Sequence, residues 1–97
     1  GEGSAVSEKR LLVLARLDHA EAMRVAAGLT ISGHAVRIVF MTGPVAETEE
    51  NAANAELLEL AEVEAMTTVA AMADDLPLLD AAALALAIAG ADIVLSL

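Results

Sequence analysis

Residues 10–41 read RLLVLARLDHAEAMRVAAGLTISGHAVRIVFM, and the reading of this stretch decides the fold. Leu11–Leu17 is a nearly continuous apolar run broken only by Arg16, as in a strand covered on both faces. Asp18 with Glu21 three residues on resembles a capping box, which predicts a helix starting there. Ala22, Val25, Ala26 and Leu29 recur at helical spacing and are expected to face the core. Gly33 is placed to end that helix and His34 to sit in the turn that follows. Ala35–Met41 is a second apolar run, rich in Val and Ile. Two buried strands joined by a helix form a βαβ unit, whose strands must be parallel.

The remainder reads as completion of that sheet. Thr42-Gly43-Pro44 breaks the second strand. Thr48 is a candidate N-cap for a second helix, with Glu49 and Glu50 near its positive end. Leu57, Leu58, Leu60 and Ala61 suggest its apolar face, and Glu56, Glu59 and Glu62 its outer one. Val63–Ala70 carries β-branched residues that suggest a third strand, against a competing helical continuation. Pro77 is suited to a helix start, so a third helix is expected over Leu78–Ala89. It is apolar almost all round, which predicts burial on both sides. Ile93–Leu97 is the fourth strand. The expected fold is an α/β three-layer sandwich with a parallel sheet of four to five strands in a flavodoxin-like wind. The expected strand order is 2-1-3-4, with right-handed crossovers.

At 97 residues the chain is one domain, with residues 1–9 read as a disordered lead-in or an expression remnant and residues 10–97 as the folded unit. A formal net charge of −10 argues against nucleic acid and against anionic membrane. Ala81–Leu97 is apolar but short for a membrane span and contains Asp92. No secretory leader is recognisable, and a cytoplasmic location is expected. There is no cysteine, which removes disulfides, thiolate catalysis and Cys-ligated metals. Two distant histidines and no ligand-spaced motif give no metal site, and no glycine-rich nucleotide loop occurs, so no cofactor is expected.

No catalytic constellation is present. In parallel sheets ligands bind beyond the carboxyl ends of the strands. Here that edge gathers Asp18 and His19, Thr42 and Gly43, Thr67 and Thr68, with Ser96 as a further neighbour; these are the candidate ligand-binding residues. The alternative for Asp18 and His19 is a cap and a solvated first-turn histidine. His34, at the opposite end of the sheet, reads as structural. Met23, Met41, Met66 and Met72 read as gap-fillers in an aromatic-poor core.

The order of these features resembles one known family. A first strand and helix, the Ser32-Gly33-His34-Ala35-Val36 corner, a second strand ending in Thr42-Gly43-Pro44-Val45, a Glu-rich helix and the close Ala91-Asp92-Ile93-Val94-Leu95-Ser96-Leu97 are similar to the DsrE/DsrF-like sulfur-relay proteins. The resemblance implies a trimeric or hexameric assembly, alone or with a homologous subunit. It also implies a persulfide-carrying cysteine after the third strand. The matching region, Thr68–Asp75, has none, and neither Met nor Thr can carry a persulfide. The expectation is a non-catalytic oligomeric subunit with Met72, Leu79, Leu84 and Leu86 at its interface. The alternative is a small-molecule or anion-binding module, or a minor enzyme, built on Asp18, His19 and Thr42.

Overall fold

A computed structural model describes residues 8–97 of the chain. The lead-in expected over residues 1–9 lies outside the described residues for positions 1–7. Lys9 is already tied to the domain: its carbonyl accepts from the Ala35 N–H at 3.0 Å, and its own N–H donates to His34 Nδ1 at 3.2 Å. The His34 corner is thus a structural turn that holds the start of the first strand.

The elements are β1 (Arg10–Ala15), α1 (His19–Thr30), β2 (Ala35–Phe40), α2 (Glu49–Leu60), β3 (Glu64–Thr67), one 3₁₀ turn (Ala70–Met72), α3 (Ala81–Ala89) and β4 (Ile93–Ser96). All strand pairs are parallel. The α/β sandwich and the parallel sheet of four strands are as expected. Strand order is 3-2-1-4, not 2-1-3-4. The reason lies in composition. An order of 2-1-3-4 would bury β3 between two strands, and β3 begins with the exposed Glu64. β1 and β2 are the strands apolar on both faces, and they take the centre.

Alternation along the strands splits the core in two. Leu11, Val13, Ala15, Val36, Ile38 and Phe40 face α1 and α2. Leu12, Val39 and Met66 face α3, where Ala87 is buried. The sheet therefore lies between α1 and α2 on one side and α3 on the other. The chain steps from β1 to β2 to β3 in one direction with both helices on one face, then returns past β1 with α3 on the opposite face. A single hand for all three crossovers requires that arrangement. All four methionines pack into these clusters.

Several local expectations are corrected. In α1 the buried residues are Ala22, Met23, Ala26 and Ala27, so the core-facing stripe is rotated from Val25 and Leu29 towards Met23. In α2 only Asn54 and Leu58 are buried; Leu57 is partly exposed and Leu60 is 78% exposed. Val63–Ala70 resolves into a four-residue strand and a turn rather than a longer helix. α3 starts at Ala81, because Pro77–Leu79 is held extended beside β3: Thr67 N–H donates to the Pro77 carbonyl at 2.9 Å, and Leu79 N–H to the Thr67 carbonyl at 2.8 Å. Asp80 then caps the helix by accepting from Ala83 N–H at 2.8 Å. The expected burial of α3 on both sides is not seen within one chain. Leu84 turns towards the sheet, whereas Leu86 is 75% exposed. The Ala81–Leu97 stretch is split between helix and strand, and among the described residues no helix is long and apolar enough to cross a membrane.

Candidate functional site at the carboxyl edge of the sheet

The 3-2-1-4 order sets the strand ends in a row: Thr67 and Thr68, then Met41–Gly43, then Arg16–His19, then Ser96 and Leu97. Each is linked to its neighbour. Thr68 N–H donates to the Phe40 carbonyl at 3.0 Å. His19 Nε2 lies 3.1 Å from the Met41 carbonyl. Leu17 and Asp18 N–H both donate to the Leu97 carbonyl, at 3.1 and 3.0 Å. Arg16 Nη1 reaches Ser96 Oγ at 3.3 Å. The candidate residues are therefore on one edge, but in different states of engagement.

Asp18 is the N-cap of α1, its Oδ1 accepting from Glu21 N–H at 3.0 Å. This satisfies one of the amides that a helix start leaves free. His19 is half-buried, its ring edge-to-face with Phe40 at 5.8 Å and 85°. A carbonyl oxygen only accepts, so the proton on this imidazole sits at Nε2, and in the neutral ring Nδ1 is the acceptor. Thr42 has φ 79°, a left-handed conformation that is an outlier for a β-branched residue. Gly43 N–H closes the turn around it by donating to the Met41 carbonyl at 2.9 Å. Positive φ with an i to i+2 bond is a strained γ-turn, and such strain persists only where its surroundings enforce it. Here the Met41 carbonyl is held by both Gly43 and His19.

The two threonines differ. Thr67 is fully buried. Its hydroxyl donates to the Phe40 carbonyl at 2.9 Å and accepts from Val69 N–H at 2.9 Å, so it is spent within the chain. Thr68 is partly exposed beside Leu78, Leu79 and Asp80 at the foot of α3. The residues expected at an interface also separate. Met72 packs into the core under α1 and α2, and Leu79 and Leu84 into the core under α3, leaving Leu86 alone on the surface.

Sequence reading missed two contributors to this edge. One is the Met41 carbonyl, whose role depends on backbone direction. The other is Phe40, the chain's one aromatic residue, which sets the His19 ring. Among the described residues no group of three or more His, Asp or Glu side chains is gathered as for a cation. Together these features define a parallel α/β domain whose strand-end crevice is ordered by its own hydrogen bonds. Compared with protein-family models, curated proteins and solved structures, the chain matches none.

Proposed function

We propose that this chain is a non-catalytic, cytoplasmic subunit of a homo-oligomer of the DsrE/DsrF-like kind. The observation that carries this reading is the set of large apolar side chains left exposed on α3 and on the edge strand β4. Leu86 and Ile88 on α3 are exposed, as are Ile93 and Val94 on β4. β4 is an edge strand whose outer side has no partner among the described residues. Natural proteins cover, shorten or charge such edges.

A second copy is the fitting occupant. Antiparallel pairing of β4 with itself is isologous and closes about a two-fold axis. It brings Arg16, which lies against Ser96 at one end of β4, towards the partner's Asp92 at the other end. The acidic surface that would oppose association lies elsewhere: seven of the 15 acidic residues fall between Glu47 and Glu64, in and around α2 and β3. Sedimentation or light scattering of wild type and Leu86→Asp tests this. Wild type is expected as an even-numbered oligomer and the variant as a monomer; equal masses contradict the reading.

A second reading, a small-molecule or anion-binding module on Asp18, His19 and Thr42, is favoured by the strained turn at Thr42. Titration with inorganic phosphate, followed by amide shifts at Thr42, Gly43 and His19, tests it. Shifts confined elsewhere sink it.

A further inference from the structure

The hydrogen bonds of β4 show which of its backbone groups are open. β4 pairs with β1 so that Val94 stands opposite Leu12 and Ser96 opposite Leu14. Leu97 N–H donates to the Leu14 carbonyl at 2.9 Å. Along a strand, successive residues turn their N–H and C=O groups to opposite neighbours. Ile93, Leu95 and Leu97 therefore turn theirs to β1, and Val94 and Ser96 turn theirs to the open edge. The side chains of Val94 and Ser96 share a face with Leu12 and Leu14, the face that α3 covers. Two opposite charges bracket this edge. Asp92 lies at its start, accepting from Arg10 N–H at 2.8 Å. Arg16 lies at its end, with Nη1 3.3 Å from Ser96 Oγ.

We infer that two copies join along β4 with Val94 opposite the partner's Val94, on the two-fold axis. The inference rests on the homo-oligomer reading above and fixes the register of its contact. Open groups must face open groups across an antiparallel pair, so the axis passes through a residue and not between two. Charge then selects the residue, because like charges across a strand pair are destabilising and unlike ones favourable. An axis at Ile93 makes Asp92 a diagonal neighbour of the partner's Asp92. An axis at Leu95 or Ser96 sets Arg16 beside the partner's Arg16. An axis at Val94 sets Asp92 opposite the partner's Ser96, where the partner's Arg16 lies. The Asp92 carboxylate then has Arg10 of its own chain on one side and the partner's Arg16 on the other. The two Val94 residues exchange both of their open backbone hydrogen bonds, and the two sheets become one.

The chain has no cysteine, so single introduced thiols report the register. Full-length Ile93→Cys, Val94→Cys, Leu95→Cys and Ser96→Cys proteins are oxidised with copper–phenanthroline, and the covalent dimer is read on non-reducing gels. Val94→Cys is expected to cross-link fastest, since directly opposed Cα atoms lie about 5.5 Å apart, within disulfide reach. Ile93→Cys and Leu95→Cys meet their own copies two residues out of step, at about 8 Å, and Ser96→Cys is further still. Arg16→Glu, at an exposed position, should raise the dissociation constant of the dimer about fivefold. Fastest cross-linking at any of the other three positions would overturn the inference, as would an unchanged dissociation constant in Arg16→Glu. An even-numbered oligomer in which no β4 thiol cross-links would overturn it while leaving the homo-oligomer reading in place. A monomeric wild type would remove both.

Discussion

His19 Nε2 donates to the Met41 carbonyl across 3.1 Å, joining the first turn of α1 to the end of β2. The same ring stands edge-on to Phe40. One imidazole thus pins the strand end from which the strained Thr42 turn departs. His19→Ala removes a partly buried hydrogen bond and an aromatic pair, together worth about 1–2 kcal/mol. Urea denaturation should show that loss, and an unchanged midpoint would mean that the contact carries no net stability.

Glu62 sits at φ 61° just after α2. Val63 N–H donates to the Leu58 carbonyl at 3.0 Å and Glu62 N–H to the Glu59 carbonyl at 3.1 Å. This is a Schellman motif, with Leu58 and Val63 in its usual apolar contact and Glu where Gly is preferred. The carboxylate also lies at the negative end of the helix. Glu62→Gly should stabilise the protein by about 0.5–1 kcal/mol. Glu62→Ala removes the charge but retains the Cβ, and should gain less. A thermal melt in which the two variants rank the other way refutes the conformational account.

Asn54 is buried on α2, and its Nδ2 has no partner among the described residues. An apolar side chain of similar volume removes the unmet donor. Asn54→Leu should therefore raise stability by about 1–2 kcal/mol. A fall in the denaturation midpoint would show that the amide is satisfied by solvent.

These positions show what was legible in the sequence. The βαβ core could be read from Arg10–Met41 because strands apolar on both faces and a capped helix are local patterns, and Asp18 and Thr48 cap their helices as read. Strand order could not be read, since it turns on which strand tolerates an edge. The apolar face of α2 is not legible in the sequence because Leu57 and Leu60 outnumber the buried Leu58, whereas the buried stripe runs through Asn54. The four strand-end segments lie on one edge, as a parallel sheet requires. That Thr67 is consumed by the backbone of β2 and the 69 turn, while Thr68 is left open, depends on side-chain direction that no periodicity reports.

Asp92 ties β4 to the start of β1. Its carboxylate accepts from Arg10 N–H at 2.8 Å, with the Arg10 guanidinium 3.7 Å away. The backbone hydrogen bond foremost, then the nearby positive charge of Arg10, hold this carboxyl below its ordinary range. A group whose folded pKa is depressed contributes stability that is present above its unfolded value and is lost as pH falls through the folded one. Urea midpoints measured between about pH 2 and pH 6 should fall on the acid side of about pH 4. Asp92→Asn should flatten that part of the profile. A variant profile parallel to wild type would remove Asp92 from the acid response.

The bare edge of β4 and the exposed Leu86 carry the functional account, and native mass spectrometry of the wild-type protein at low micromolar concentration tests it most directly. An even-numbered oligomer, a dimer or a hexamer built from dimers, that falls to monomer in Leu86→Asp is the result predicted. A wild-type monomer, or a trimer indifferent to that substitution, would contradict it.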